Sequence, residues 1–470
     1  MASCHHAAPS GLTSATLEGW RVRSPGPEPQ ATLRAASPVG TRAFNVQKTI
    51  PGLRWWILLL VAIGTVLNYL SRSSLSVAAP TLMHDIGLTT QHYAYVVSAF
   101  QAAYAVAQPF AGYVLDLIGL RIGFALFAAA WSAANISVAL AGGWTGLATA
   151  RALLGLAESA GIPAAMKTVK EWFPAQERSI ATGWFNAGAS IGSMLAPPLV
   201  VFCIIRAGWQ SAFVATGLIG FLWALLWAVY FRKPADHRRL SATERVHILS
   251  KGSPATTSAT LRPSWSHILR SRNFAGLAAA RFLSEPAWQT FNYWIPVYLV
   301  TVRHMNLTAV AAIAWIPFLA ADLGSVAGGY LAPLYQQWLG LRVTAALKLV
   351  VFTGSLLMAG PALIGSVVSP YSAIALFCLG ALAHQVLSCA LYTLTSNVFE
   401  EHELATTVGL TGSCGYIGGM LFSLFIGGLS ARTGFGPIFV SLPILDVAAA
   451  VIVASVVRYG GDARSAAPSA

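Results

Sequence analysis

Long apolar runs separated by short polar stretches restrict the fold of this chain more than any other feature. Each run is long enough to cross the roughly 30 Å hydrocarbon layer of a bilayer. Because lipid offers no partner for backbone N–H and C=O groups, a spanning run has to form a helix. Only 10% of the residues are charged, whereas soluble chains contain about 25%. We predict an all-α polytopic membrane protein with twelve spanning segments, at about residues 54–76, 93–114, 121–141, 144–168, 178–203, 209–231, 274–301, 308–336, 343–366, 370–397, 404–428 and 434–457.

The net charge of +13 is concentrated on one side of the predicted membrane topology. Nine Lys and Arg residues lie between the sixth and seventh segments, in residues 232–272. The loops on the opposite side contain only Arg206, Arg303 and Arg432. Positive residues collect in cytoplasmic loops of membrane proteins. We therefore expect both termini in the cytoplasm, and the charge gives no reason to predict binding to nucleic acid.

The twelve segments fall into two sets of six with a long basic loop between them. Residues 1–50 are rich in Ala, Ser, Pro and Gly and contain no signal-peptide core, so we expect a disordered tail. The expected parts are the N-terminal tail (1–50), a six-helix bundle (51–231), the basic cytoplasmic central loop (232–272), a second six-helix bundle (273–458) and a C-terminal cytoplasmic tail (459–470).

A short sequence parallel between the two sets indicates an internal duplication. The connection after the second segment contains Gly112, Asp116, Gly119 and Arg121, which predict a tight turn fixed by glycines and an Asp/Arg pair. The corresponding connection of the second set, at 329–342, repeats its Gly-Tyr and Gly-Leu-Arg patterns. A duplicated chain of this kind is typical of transporters.

Two ionisable residues lie inside the fourth predicted segment. Arg151 and Glu158 are seven residues apart, which is two helical turns, so both side chains project from one helix face. Each charge costs roughly 2.5–3.5 kcal/mol at the centre of a membrane on the insertion scale. A buried ion pair, or snorkelling of Arg151 to the surface, would be a purely structural explanation. A polar substrate pathway explains both charges at that depth, and we treat the pair as a candidate site.

Further polar residues form stripes on other predicted segments. Tyr69 and Arg72 lie one turn apart near the end of the first segment. Isolated polar residues are common in helical bundles, and so is snorkelling at helix ends, so either could explain them. The other candidates are Tyr104, Gln108, Asn186, Glu285, Trp288, Asn292, His384, Gln385 and Tyr416.

A Gly-x-Ser-x-Gly match at residues 188–192 raises the question of a hydrolase. The nucleophile elbow needs a strand, a sharp turn and a helix, whereas this match lies in the middle of a predicted helix. Small residues at that place favour close helix packing. The five cysteines form no CxxC pair. We predict no enzyme activity, no cofactor and no metal site.

The chain resembles the major facilitator superfamily over residues 50–458, and the turn at 112–121 resembles the loop signature of that superfamily. Within it, the chain is similar to the anion:cation symporter family and to its bacterial hexuronate transporters. The stretches that carry this narrower resemblance are Gly52–Trp55, Ala79–Met83, Glu171–Pro174, Glu177–Ala181, Arg281–Trp288 and Ala383–Gln385.

The resemblance implies roles for individual residues. It makes Arg72 and Arg151 carboxylate-binding and Glu158 a protonation site. Many family members have an aspartate before the first-segment arginine, whereas this chain, like the hexuronate branch, lacks it and has Ser71. Coupling is therefore assigned to Glu158, with help from Glu285 or His384 as an alternative. The residues that line the cavity by resemblance are Tyr104, Gln108, Asn186, Asn292 and Tyr416.

We therefore expect a monomeric proton-coupled symporter of the bacterial inner membrane that imports a hexuronate such as galacturonate or glucuronate. Its partners are the sugar acid, protons and the lipid bilayer. Arginine suits the carboxylate because its planar fork donates two parallel hydrogen bonds, and Trp288 can stack on the sugar ring. Two alternatives are a transporter of the same design that acts on an aldonate or another organic anion, and one that is driven by sodium. A membrane enzyme would need a nucleophile–base set, and a sensor would need a signalling domain larger than the central loop.

Overall fold

The structure is a computed structural model that describes residues 49–174, 177–250, 265–399 and 401–458. Every regular element in these ranges is helical, so the predicted all-α fold is confirmed. The tail predicted to be disordered lies outside the described residues up to residue 48. Residues 251–264 of the central loop and the C-terminal tail also lie outside them.

The helices follow the predicted segments. Three of the twelve segments are divided, the fourth into α4 and α5, the eighth into α11 and α12, and the ninth into α13 and a 3₁₀ turn. The helices are α1 (Leu53–Asp85), α2 (Thr90–Ile118), α3 (Leu120–Val138), α4 (Trp144–Glu158), α5 (Gly161–Trp172), α6 (Arg178–Ala207), α7 (Trp209–Tyr230), α8 (Ala242–Ser250), α9 (Trp265–Arg270), α10 (Arg272–Thr301), α11 (Leu307–Ile313), α12 (Ile316–Leu339), α13 (Val343–Leu357), α14 (Pro370–Val398), α15 (Glu401–Thr433) and α16 (Gly436–Val456), with the 3₁₀ turn at Gly360–Gly365.

Nine helical stretches of the described chain are long and apolar enough to cross a membrane. The predicted segments at 93–114, 144–168 and 274–301 are not among the nine. They correspond to α2, to the broken pair α4–α5, and to α10, which carry many of the buried polar residues described below. The least apolar segments therefore contribute to the candidate site, together with α1 and α15.

Three helix pairings recur in the two halves of the chain, which we call the first half (α1–α7) and the second half (α10–α16). In the first half α1 packs on α6, α2 on α4, and α3 on α7. In the second half α10 packs on α15, α12 on α14, and α13 on α16. These are segments 1 with 5, 2 with 4, and 3 with 6 of each set. An internal duplication predicts this repetition.

Helices α2 and α15, and α1 and α10, pack along each other and join the halves, and α6 also contacts α11 and α12. The hydroxyl of Tyr93 donates to the backbone carbonyl of Tyr293 at 2.7 Å. The hydroxyl of Ser98 donates to the backbone carbonyl of Met420 at 3.2 Å. These contacts lie in the part of the bundle nearer the α1–α2 connection, so the halves are held together at that end.

The Gly-x-Ser-x-Gly stretch lies within α6 and serves packing, as predicted. A Cβ atom at Gly188 would lie 2.7 Å from the carbonyl oxygen of Ala62 on α1. Gly192 faces the α1 backbone one turn further along. Between them, the hydroxyl of Ser190 donates to the carboxylate of Asp322 on α12 and so links the halves.

The predicted signature turn joins α2 to α3. Gly119 has a φ of 80°, and Gly340 has a φ of 63° at the corresponding position after α12. Both values lie in the left-handed region that favours glycine. Arg121 donates to a backbone carbonyl near the end of α7 at 2.8 Å, and Gly112 faces α5. The side chain of Asp116 lies outside the described residues, so its pairing stays a prediction.

The central loop contacts the start of α1 through α8. Glu244, near the start of α8, accepts hydrogen bonds from the backbone N–H groups of Leu53 and Arg54, both at 3.2 Å. These are N–H groups that the first turn of α1 leaves without a helical partner. The loop is therefore tied to the first half at the end opposite the contacts of Tyr93 and Ser98.

Candidate functional site

A buried ion pair joins Arg72 to Glu158. The Nε atom of Arg72 donates to Glu158 Oε2 at 3.1 Å, and the two side chains are 8% and 0% exposed. The second oxygen of Glu158 has no hydrogen-bond partner within the described part of the chain. Burying an ion pair is costly unless its remaining polar atoms are satisfied. This pair is therefore the first place to expect a ligand or a proton.

The position of Glu158 depends on a break in the fourth segment. Helix α4 ends at Glu158, and α5 starts at Gly161. Pro163 has no N–H to donate to the carbonyl of residue 159, which favours an interruption there. The prediction of one continuous helix over residues 144–168 was therefore wrong at this point. Upstream, Gly155 lets α4 approach α2, because a Cβ there would lie 2.5 Å from the carbonyl oxygen of Phe100.

Aromatic side chains surround the Arg72 guanidinium. Its carbon lies 4.8 Å from the ring centre of Tyr69, 4.9 Å from that of Tyr104 and 5.1 Å from that of Phe100. Cations are attracted to ring faces at such distances. The Nη1 atom donates to the hydroxyl of Tyr416 at 2.8 Å. Since Tyr416 is on α15, Arg72 connects the two halves of the chain.

Arg151 makes different contacts from those that its spacing suggested. It is fully buried and donates to the backbone carbonyls of Ser71 at 3.3 Å and Arg72 at 3.0 Å. Its guanidinium also lies 5.1 Å from the ring centre of Phe100. Glu158 pairs with Arg72 instead of with Arg151. Arg151 thus holds the α1 backbone at the residue that carries the other guanidinium.

The second half contains a comparable cluster on α10. Arg281 Nη2 lies 3.3 Å from Glu285 Oε2, one turn further along the same helix. Arg281 also donates to the hydroxyls of Ser388 at 2.9 Å and Tyr392 at 2.8 Å on α14. Gln289 donates to Glu285 at 3.1 Å. Glu285 is therefore held by an arginine and an amide inside the second half.

Glycines of α15 make room for polar side chains from other helices. A Cβ at Gly412 would lie 3.3 Å from Gln108 Oε1, and one at Gly415 would lie 3.3 Å from Glu285 Oε2. Gly419 faces Gln289 in the same way. Gln289 also accepts a hydrogen bond of 3.4 Å from Gln101 on α2. The glycine face of α15 therefore lies between the two clusters, next to Tyr416.

The remaining predicted residues of the second half lie near α10 and α14. His384 stacks on Trp288 with ring centres 5.6 Å apart and an angle of 12° between planes. Asn292 donates to the backbone carbonyl of Trp288 at 2.9 Å. Gln385 follows His384 and is partly buried. The side chain of Asn186 lies outside the described residues. The binding roles of all these residues stay predictions.

Two buried charged residues were missed from the sequence. Arg281 lies inside the seventh predicted segment, and its i,i+4 spacing to Glu285 is the signal that would have found it. Asp446 lies in the last segment, where it is the sole charged residue between Gly436 and Val456. A search for any Asp, Glu, Lys or Arg in the middle of a predicted span would have found both.

The arrangement around Arg72 suits a small hydroxylated anion. A guanidinium binds a carboxylate by charge-assisted hydrogen bonds. Tyr69, Tyr104 and Tyr416 lie close to it, and their hydroxyls can exchange hydrogen bonds with hydroxyl groups. The amide of Gln108, which faces Gly412 next to Tyr416, can do the same. Glu158 is in direct contact with the same guanidinium and can take up or release a proton. The site therefore has groups for an organic anion and for a coupled proton.

Comparison with known proteins agrees with this architecture. The family model of the Major Facilitator Superfamily matches residues 61–423. The chain belongs to this superfamily. Its members are transporters, so the protein is a multi-pass membrane transporter and not an enzyme.

Relatives and solved structures are similar over most of the chain. The hexuronate transporter of Escherichia coli strain K12 is 47% identical over 412 residues, which cover 87% of this chain and 95% of that one. The galacturonate transporter of Dickeya chrysanthemi is 49% identical over 328 residues, covering 69% and 95%. The crystal structure of a bacterial homologue of the human lysosomal transporter Spinster, inward-facing and unoccupied, has the same fold, with a TM-score of 0.67 and 18% identity over 87% of this chain and 96% of that one. The predicted resemblance is confirmed.

Proposed function

We propose that this transporter imports hexuronates, galacturonate and glucuronate among them, together with protons across the bacterial cytoplasmic membrane. The observation that carries the proposal is the buried contact of 3.1 Å between Arg72 and Glu158. It puts a group that binds a carboxylate next to a group that binds a proton. The identity of 47% with the E. coli hexuronate transporter supports a sugar acid as the substrate.

In this proposal the substrate carboxylate binds Arg72 and displaces Glu158 from it. Glu158 then faces a like charge without its cation, and both changes favour its protonation. Substrate and proton therefore bind together. By linkage, protonation of Glu158 strengthens substrate binding by the same factor. Arg151 keeps the α1 backbone in place during this exchange through its bonds to Ser71 and Arg72.

Hydroxyl groups of the sugar bind the polar residues around the two clusters. Three of these residues lie on α2 and α15, namely Tyr104, Gln108 and Tyr416. Asn292 lies on α10. Trp288 offers a ring face to the sugar and is itself stacked on His384. We assign these residues to recognition of the hydroxyls and the ring, and Arg72 to recognition of the carboxylate.

Uptake into proteoliposomes tests the proposal. Labelled galacturonate and glucuronate should accumulate against their gradients when the outside is acidic, and should only equilibrate when the pH is equal on both sides. Galactonate, an unlabelled competitor without the uronic acid ring, should compete weakly. Accumulation that follows a sodium gradient would contradict proton coupling. Competition by galactonate as strong as that by unlabelled galacturonate would contradict hexuronate selectivity.

The proposal also includes the orientation of the chain. With residues 232–272 in the cytoplasm, the contacts of Tyr93 and Ser98 hold the two halves together on the outer side. In a chain without its native cysteines, a cysteine at exposed Asp236 should resist an impermeant thiol reagent in intact cells. A cysteine at Val368, which is 91% exposed on the opposite side, should react. The reverse labelling pattern would overturn the orientation.

A further inference from the structure

A second buried carboxyl, that of Asp446, has no part in the mechanism above. Helix α16 runs from Gly436 to Val456, so Asp446 lies at its midpoint, about 15 Å from either end. The residue is 0% exposed, and neither carboxylate oxygen has a hydrogen-bond partner within the described residues. A charged aspartate at such depth costs at least roughly 2.5–3.5 kcal/mol. An acid in the middle of an otherwise apolar helix therefore needs an explanation.

A second unpartnered polar group lies at the same depth on α10. Gly276 contacts Val456, since a Cβ there would lie 2.8 Å from Val456 Cγ1, and this fixes the register of the two antiparallel helices. From that contact, Ser284 is about 12 Å along α10 and Asp446 about 15 Å along α16. The hydroxyl of Ser284 is buried and also lacks a partner within the described residues. The two orphaned groups therefore lie at nearly the same level.

Arg281 and Lys348, on two of the helices that pack against α16, are already engaged. On α10, Arg281 is bound to Glu285 at 3.3 Å and to two hydroxyls of α14. On α13, Lys348 donates to the carbonyl of Ala454, two turns of α16 away from Asp446. Ser355 of α13 donates to the backbone carbonyl of Asp446 and not to its carboxyl group.

The charges of this region balance only with a proton. Glu285 and Asp446 are two carboxyls, and Arg281 is one guanidinium. When two carboxylates share one buried site, like-charge repulsion keeps one of them protonated. Glu285 has the guanidinium and the amide of Gln289 as partners, so the proton belongs on Asp446.

We propose that Asp446, at nearly the same level as the unpartnered Ser284 of α10, is a second proton-binding site of the transporter, and that its proton keeps Arg281 paired with Glu285. With the proton bound, Asp446 is neutral and does not attract the guanidinium. Without it, Asp446 carries a second negative charge that acts on Glu285, and the repulsion between the two carboxylates disturbs the Arg281–Glu285 contact. Loss of this proton at alkaline pH should therefore slow the transporter. The inference rests on the proposed function, but it concerns a site distinct from Glu158.

Substrate exchange at equal pH on both sides tests the inference, because exchange needs no pH gradient. The exchange measurements are made in the Glu158→Gln background, so that the proton of Glu158 does not contribute to the pH profile. Exchange by Glu158→Gln should fall at alkaline pH, and the added change Asp446→Asn, which resembles the protonated acid, should remove this alkaline fall. Asp446→Asn alone should still accumulate substrate in response to a pH gradient through Glu158. Ser355→Ala, which touches Asp446 only through the backbone, is the matched control and should keep the alkaline fall.

An infrared measurement gives an independent reading of the proton. The carbonyl-stretch band of a protonated carboxylic acid should be present in the wild type, decrease as the pH rises, and be missing in Asp446→Asn. An alkaline fall of exchange that persists after Asp446→Asn is added would overturn the inference. If that variant does not reach the membrane, Ser284→Ala takes its place in the exchange measurement. An unchanged alkaline fall in Ser284→Ala would also overturn the inference. A wild type without gradient-driven uptake would instead contradict the proposed function.

Discussion

Each half of the transporter contains a buried arginine–glutamate pair, but the balance of charges differs. The Arg72 site consists of Arg72, Arg151 and Glu158, with two guanidinium groups and one carboxyl. The Arg281 site consists of Arg281, Glu285 and Asp446, with one guanidinium group and two carboxyls. The Arg72 site therefore has an excess positive charge that an anion can balance. The Arg281 site has an excess negative charge that a proton can balance. The two halves therefore differ in the sign of the charge that a bound ion has to balance.

The two pairs also differ in how the chain holds them. Glu158 reaches Arg72 from another helix, 86 residues away, and Arg72 further contacts Tyr416 in the second half. Glu285 and Arg281 are one turn apart on α10. A pair shared between helices can separate when the helices move, whereas a pair within one turn moves as a unit. The Arg72 site is thus the better place for a contact that opens and closes.

The largest expected effect comes from Arg72→Ala. Removing one partner of a buried charge pair costs about 2–5 kcal/mol, which is about 30-fold or more in affinity. Binding of labelled galacturonate to purified protein should fall below detection. Arg281→Ala, the matched change in the other site, should retain measurable binding, since it leaves all three Arg72 site residues in place. Equal losses in both variants would show that the two halves hold the carboxylate together.

Glu158→Gln is expected to separate substrate binding from accumulation. Glutamine resembles the protonated acid, so the variant should bind substrate and exchange it across the membrane. It should lose uphill uptake driven by a pH gradient. Glu285→Gln is the comparison in the Arg281 site and should keep gradient-driven uptake. Uphill uptake by a correctly folded Glu158→Gln would move the coupling role to Glu285 or His384.

Arg151→Lys should weaken substrate binding by a smaller factor. One ammonium group cannot reproduce the fork that bonds to the carbonyls of Ser71 and Arg72. Loss of a hydrogen bond to a charged group costs about 1.5–3 kcal/mol, or about 10- to 100-fold in affinity. Arg206→Lys is the control, because Arg206 is exposed and lies over the ring of Phe202. Normal affinity in Arg151→Lys would show that the fork does not matter at this position.

The fold could be predicted from the sequence because apolar runs of spanning length have only one solution in lipid, the helix. The site could be predicted only in part. Arg151 and Glu158 were found from their depth, but the partner of Glu158 was not, because helical spacing reports only neighbours on the same helix. Arg72 comes from α1, and its proximity is a result of tertiary packing, in which Arg151 of α4 bonds to the backbone carbonyls of Ser71 and Arg72.

Asp446 and Arg281 show a second limit of the sequence. Both lie within long runs of mostly apolar residues, so their charges did not disturb the prediction of the segments. The break between α4 and α5 was missed for a similar reason, since a Gly and a Pro are tolerated inside membrane helices. Single charged, Gly or Pro residues within an apolar segment were therefore the positions that carried information about function.

Ser71→Asp is expected to have the smallest effect of these changes, and it tests how an added carboxyl alters the Arg72 site. Ser71 is 2% exposed and precedes Arg72 on α1. An aspartate there would give the Arg72 site two carboxyls for its two guanidinium groups, so that it no longer has an excess of positive charge. The new carboxylate should compete with the substrate for Arg72, weaken binding by about tenfold, the scale of one charged hydrogen bond, and change the number of protons taken up per substrate.

Ser74→Asp introduces the same charge at a residue that is also buried but whose hydroxyl bonds to its own helix at Leu70, so it controls for the cost of burying an acid. If Ser71→Asp folds and changes neither affinity nor proton count, position 71 does not face the site, and the charge balance of the Arg72 site is not what selects an anion.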